Sequence, residues 1–140
     1  MSPMPKKRAQ RLEADVKDDV KDALDAHGWF WWVAAASKFS KSGIADIMAV
    51  RHGMFIAIET KPPEPVKPVP TPNQIAFLQD IKRMNHFAFV VNRSRFEYFV
   101  AFLDALERAQ AAPVVKGVKM VKPEDGAMMI NAIREMQLEI

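Results

Sequence analysis

A chain of 140 residues, 49% apolar and 26% charged, has the content of one globular domain with a real core. It holds no cysteine, which excludes disulfides and thiolate-held zinc. The net charge of +3 and pI of 9.3 lean only weakly toward a polyanionic partner, because 20 basic residues stand against 17 acidic ones. No apolar run approaches the ~20 residues that span a bilayer. The basic start at Lys6-Lys7-Arg8 is followed by no apolar signal region, so a cytoplasmic protein with no membrane partner is expected.

Residues 1–11 read as a flexible basic arm carrying Lys6, Lys7, Arg8 and Arg11. Leu12, Val16, Val20, Ala23 and Leu24 recur at three- and four-residue spacings, which predicts a helix to about His27. Gly28 stands where a left-handed helix stop is common. The run 29–33, aromatic and β-branched, predicts a strand. After a polar, basic loop over 37–43, a hairpin follows: a strand over 44–50, a turn at Arg51-His52-Gly53, and a strand over 54–61. Six of the ten prolines then fall in 62–72, a density that leaves only an extended loop. Thr71 or Asn73 can cap a helix over 73–84. A fully apolar strand is expected at 87–91. Ser94 and Glu97 match a capping box that opens a helix ending near Ala112.

In the remaining residues, 114–121 suit an extra strand or an arm, and 123–138 a helix. Its Met128, Met129, Ala132, Ile133 and Met136 lie on one side, a face for the core or for a second subunit. The expected order is an α-β-β-β-α-β-α sandwich with a mixed central sheet plus a C-terminal helix. The division is an arm over 1–11, a main domain over 12–112, and a C-terminal extension over 113–140.

The polar exceptions carry the chemistry. Glu59 and Lys61, two residues apart on one strand, must project from the same face. Asp46 interrupts the neighbouring apolar strand, where an ionised carboxylate is costly unless paired or bound to metal. Gln74 opens the helix after the proline loop, and Glu13 lies early in the first helix, able to point at the same sheet edge. Asp46 and Glu59 can supply oxygens to Mg²⁺ or Mn²⁺, which prefer carboxylates and water. Lys61 can hold a water or stabilise charge developing on a phosphate. A lone Glu-x-Lys is usually a surface ion pair worth little. The weight lies in its company.

The pattern Gly43-x-x-Asp46, Glu59-x-Lys61 and Gln74, preceded by the helical Glu13, resembles the PD-(D/E)XK nuclease superfamily. Within it, the virus-type replication-repair nuclease (VRR-NUC) group is the nearest in pattern. The resemblance covers about residues 12–110. It implies a restriction-endonuclease-like fold and Mg²⁺- or Mn²⁺-dependent hydrolysis of DNA phosphodiester bonds, leaving a 5′-phosphate. Carried over by position, Asp46, Glu59 and the Thr60 backbone carbonyl would hold the metal, with Glu13 completing the shell. Lys61 would be the catalytic lysine, and Gln74 would orient water or substrate. Small members resemble dimeric Holliday junction resolvases, which implies branched or flapped DNA as substrate, a homodimer with the Met-rich helix as a dimer element, and a phage-type setting. Ala45 stands where the family often has Pro, and the proline loop is longer than usual.

Lys38, Lys41, Lys82, Arg83, Arg93 and Arg95 flank the site from three segments and together can form a phosphate-binding rim. Lys116, Lys119 and Lys122 of the tail can extend it. Trp29, Trp31 and Trp32 can stack on bases, although a strand this aromatic is more often core; Trp29 and Trp31 alternate with Phe30 and Trp32, so one pair is expected to be exposed or to lie under a helix. His27, His52 and His86 have no ligand spacing and read as solvated. The rival to a nuclease is a nucleic-acid-binding or assembly protein that kept the fold and lost catalysis. A plain ion-pair scaffold is a third reading.

Overall fold

The computed structural model describes residues 6–34, 44–62 and 71–136. The first helix, α1 (Lys6–Ala26), begins six residues earlier than its apolar stripe, so the second half of the expected arm is helical. Its Val16, Val20 and Leu24 are fully buried. Gly28 ends it at φ +75°, with Gly28 N–H donating to the Asp25 carbonyl and Trp29 N–H to that of Leu24. That pair of bonds is a Schellman stop. It needs the left-handed residue that glycine supplies without a Cβ clash, and it drops Trp29 into the core.

Four strands follow: β1 (Phe30–Val33), β2 (Ile47–Arg51), β3 (Met54–Thr60) and β4 (Phe87–Val91). They form one mixed sheet in that order, β1–β2–β3 antiparallel and β3–β4 parallel. The β2–β3 turn holds His52 at φ 49° and Gly53 at φ 77°, the two positive angles of the hairpin turn whose twist matches its strands. Helix α2 (Pro72–Arg83) is the crossover between the parallel strands. Thr71 caps it in a reciprocal capping box with Gln74, and Pro72 sits at its first position.

Alternation along the strands splits the core into two layers. Ile47, Ala49, Ile56, Ile58, Phe89 and Val91 face α1 and the helix α3 (Phe96–Ala111), whose Phe99, Phe102, Leu103 and Leu106 are buried. The Phe102 ring meets Phe87 and Phe89 edge-on, at 4.8 and 4.9 Å between centroids. On the other face Leu78, Phe77 and Ile81 of α2 cover Ala57, Ala88 and Val90. The expected α-β-β-β-α-β-α order and mixed sheet are present. Among the described residues, no helix is long and apolar enough to cross a membrane.

Two local expectations are corrected. Asp46 lies one residue before β2, not inside it, although Ala34 N–H still reaches the Asp46 carbonyl at 3.2 Å. Ser94 and Glu97 do not form the capping box. Asn92 accepts from both Arg95 N–H and the Ser94 hydroxyl, which winds a 3₁₀ turn over Arg93–Arg95 before α3 begins. The C-terminal helix α4 (Pro123–Met136) turns its apolar side onto its own chain: Ala132 and Met136 are buried, and Met129 and Ile133 pack against the same core. Buried Asp125 anchors it through Arg108 of α3 at 2.6 Å. The segment before it is a small exposed hairpin, β5 (Val114–Val115) and β6 (Val118–Lys119).

Candidate metal and phosphate site

β3 ends in a carboxylate and an ammonium held side by side. Lys61 N–H donates to the Val91 carbonyl at 3.0 Å, so the parallel ladder continues one residue past Thr60. The period of two therefore still holds, and Lys61 Nζ lies 3.4 Å from Glu59 Oε1. Both side chains sit at the carboxyl end of a strand followed by a crossover, the place where open α/β sheets bind ligands.

Gln74 ties this pair to α2. Its Oε1 accepts the Thr71 N–H at 2.8 Å and the Lys61 ammonium at 3.2 Å, and its Nε2 donates to Glu59 Oε1 at 2.7 Å. One amide thus serves as the third helical residue of a capping box and as the clamp on Glu59 and Lys61. The surrounding donors and acceptors fix which way it points.

Asp46 approaches from β2. Its Oδ2 accepts the backbone N–H and the hydroxyl of Thr60, both at 2.9 Å. Its Oδ1 has a loose ion pair with Lys17 of α1, at 3.8 Å. Glu59 is 2% exposed, and its Oε2 is buried with no hydrogen-bond donor. Burial, followed by the charge of Asp46 and a hydrogen bond shared with it, pushes the Glu59 carboxyl up to about 8, against the pull of Lys61. Two neighbouring carboxylates with one orphaned buried oxygen either share a proton or surround a cation.

Glu13 comes near the same point on α1. Burial, then the Asp46 charge, raises its carboxyl, while Lys17 and Lys61 act in the opposite sense. Lys17 was not singled out from the sequence. The signal was present, since it lies four residues after Glu13 and so on the same helix face.

The structure thus brings together Asp46, Glu59, Lys61, Gln74 and Thr60, with Glu13 within electrostatic reach. The expected rim is less uniform. Lys38, Lys41 and Gly43 lie outside the described residues, as does most of the proline loop. Arg83 is paired with Asp80, and Arg93 with Asp19 at 2.7 Å. Lys82 is half-buried, and one guanidinium nitrogen of Arg95 is buried with no acceptor. Lys116, Lys119 and Lys122 are exposed.

A second polar group lies at the opposite end of the sheet. His27, expected to be solvated, donates from Nδ1 to the Ala23 carbonyl at 2.8 Å and meets Asp104 at 2.5 Å and Glu107 at 3.9 Å. Among the described residues this is the trio of acidic and histidine side chains whose ligand atoms lie within 4.8 Å of one another; Glu13, Asp46 and Glu59 are spread more widely. His86 is also not free, since its Nδ1 accepts the Phe55 N–H at 3.3 Å. A cleft of about 630 Å³ opens beside Arg51, His52 and Glu107 and contains none of the Asp46–Glu59 group.

Burial disfavours the charged His27 ring, but the Asp104 hydrogen bond, the Ala23 carbonyl and the two carboxylate charges outweigh it and raise its pKa above the ordinary 6.5. A raised folded-state pKa gives stability that is present below 6.5 and lost as pH rises through the folded value. His27→Gln is therefore expected to lower the melting temperature most on the acid side and to flatten its decline above that pH. An unchanged profile in thermal melts would remove the ion pair from the account.

No family model and no curated protein matches this chain.

Proposed function

We propose that this protein is a metal-dependent DNA endonuclease acting at the Asp46–Glu59–Lys61–Gln74 site, in the manner of the PD-(D/E)XK nucleases and of their VRR-NUC group. The observation that carries this reading is the buried, donorless Oε2 of Glu59 beside Asp46, within reach of a fixed ammonium. The donor set suits a hard divalent cation: two carboxylates, the Thr60 backbone carbonyl, and Glu13 nearby. Mg²⁺ or Mn²⁺ bound there would polarise a phosphate oxygen and acidify a water.

The chain's own groups supply the rest. Thr60 orients Asp46 through two hydrogen bonds, and Gln74 holds Glu59 from the other side. Gln74 also accepts one hydrogen bond from Lys61 and Glu59 pairs with the same ammonium, which leaves its third N–H for a phosphate oxygen or for an attacking water. Recognition of the phosphate backbone fits a chain with no base-reading motif. Branched or flapped DNA is the substrate class proposed, in phage-type replication, repair or recombination. A homodimer remains part of the proposal, although the Met-rich face read as its interface packs largely on α3.

The reading that competes is a binding protein without catalysis. A four-way junction, a flap and a linear duplex, each incubated with the protein in Mg²⁺, in Mn²⁺ and in EDTA, separate the two. Metal-dependent cutting of junction or flap in preference to duplex is expected. Binding with no cutting in either metal would sink the nuclease. Equal cutting of linear duplex would remove the structure preference.

A further inference from the structure

α2 covers only half of its side of the sheet. Phe77, Leu78 and Ile81 lie against β3 and β4, and among the described residues no helix covers the same face of β1 and β2. The register puts Phe30 opposite Val50, which pairs with Phe55, and Trp32 opposite Met48, which pairs with Ala57. Residues opposite one another point to the same face. Phe30, Trp32 and Phe55 therefore share the uncovered face, and Phe30 is 69% exposed and Trp32 37%.

These rings form a chain without stacking on one another. Phe30 and Trp32 lie 6.0 Å apart and tilted at 44°, and Trp32 meets Phe55 edge-on at 6.2 Å. His86 continues the chain, 6.0 Å from Phe55 and again edge-on. Phe55 also packs against the α2-side core, so Phe30 and Trp32 are the rings that present most surface. The contrast is Trp31 on the other side of β1. It packs against the main core, its indole N–H donates to Asp25 at 2.7 Å, and Lys21 lies 5.8 Å above its ring.

We propose that Phe30, Trp32 and Phe55 form a stacking platform for unpaired bases of the strand that the Asp46–Glu59 site acts on. The inference rests on the nuclease reading for the identity of that strand. Two features select nucleobases as the occupant. The surface is a row of exposed aromatic rings, and every base has a π-face that stacks on such rings. It is also continuous with the carboxylate site. Trp32 lies in the row of Met48, one two-residue step from Asp46 or about 7 Å, and Phe30 lies a further step of similar size away. A backbone phosphate paired with the Lys61 ammonium beside Glu59 sends the following bases of an extended strand over Trp32 and then Phe30. The platform favours a flap, a junction with opened arms, or a single strand over closed duplex, whose bases already stack on each other.

The test is affinity for a short single-stranded oligodeoxynucleotide in EDTA, read by anisotropy and by quenching of tryptophan emission. Trp32→Leu keeps apolar bulk and loses the aromatic face, while Trp32→Phe keeps a ring. Trp32→Leu and Phe30→Ala are each expected to weaken single-strand binding about tenfold, with Trp32→Phe restoring most of it. The quench should vanish in Trp32→Leu, and affinity for blunt duplex should stay unchanged. Unchanged melting temperatures show that the variants fold. Equal single-strand affinity in wild type and Trp32→Leu would overturn the platform, and so would a dimer that Trp32→Leu converts to monomer. Failure of the nuclease reading looks different: single-strand binding in EDTA persists while no metal supports cutting. Failure of the platform alone leaves metal-dependent cutting in place with stacking gone.

Discussion

Lys61→Met is expected to slow metal-dependent DNA cutting by about a hundred- to a thousandfold, with little change in melting temperature. The side chain is 17% exposed and sits between Glu59 and Gln74, so methionine fills the space of its stem and removes only the ammonium. Gln74 Oε1 keeps its Thr71 donor, and the α2 cap survives. The loss should therefore fall on turnover and not on folding. If Lys61 held the phosphate equally in the ground and transition states, the substitution would raise KM and leave kcat unchanged. A variant that cuts DNA at the parent rate would remove Lys61 from the chemistry.

The second expectation concerns the two carboxylates. Glu59 is raised from 4.5 to about 8 in the folded protein, so without metal the folded state holds a proton that the unfolded chain releases. Its contribution to stability is therefore present below about pH 4.5 and lost as pH rises through about 8. A divalent cation competes with that proton. Mg²⁺ should stabilise the fold little at about pH 6 and substantially at about pH 9, because binding no longer has to displace a proton. Thermal melts with Mg²⁺ and with EDTA at both pH values measure this. Glu59→Gln should flatten the metal-free decline and abolish the metal-dependent gain. The same Mg²⁺ shift at both pH values, retained in Glu59→Gln, would place the cation elsewhere, with the His27–Asp104–Glu107 group the next place to look.

Much of the site was legible because it depends on period alone. Glu59 and Lys61 share a face for the same reason that Ile56 and Ile58 share the opposite one. The positions of Gly28, Gly53 and Thr71 each named a stop, a turn or a cap by backbone chemistry, and each formed as read. Gln74 closes the α2 capping box and also hydrogen-bonds Glu59 and Lys61, because a capping-box residue at α2 lies where the crossover returns to the sheet.

What failed depended on competition between neighbours. Ser94 fits a capping box in isolation, but Asn92 two residues earlier accepts the Arg95 N–H and the Ser94 hydroxyl, which uses that hydroxyl as a donor. Asp46 was read as a costly carboxylate within a strand. It lies just before the strand, where the Thr60 donors turn it to the sheet edge. The alternation at 29–32 predicted two opposed aromatic pairs without telling which would be covered. That was decided by the width of α2, which spans two strands of four. Lys17 escaped because charge on a helix is ordinarily solvated, and its partner Asp46 is 29 positions away along the chain.

The measurement closest to the central claim is anomalous X-ray scattering from crystals grown with Mn²⁺. The account expects a manganese peak coordinated by Asp46, Glu59 and the Thr60 carbonyl, with Gln74 retaining its hold on Glu59. Manganese bound only at His27, Asp104 and Glu107, or Glu59 still hydrogen-bonded to Asp46 in saturating metal, would contradict it.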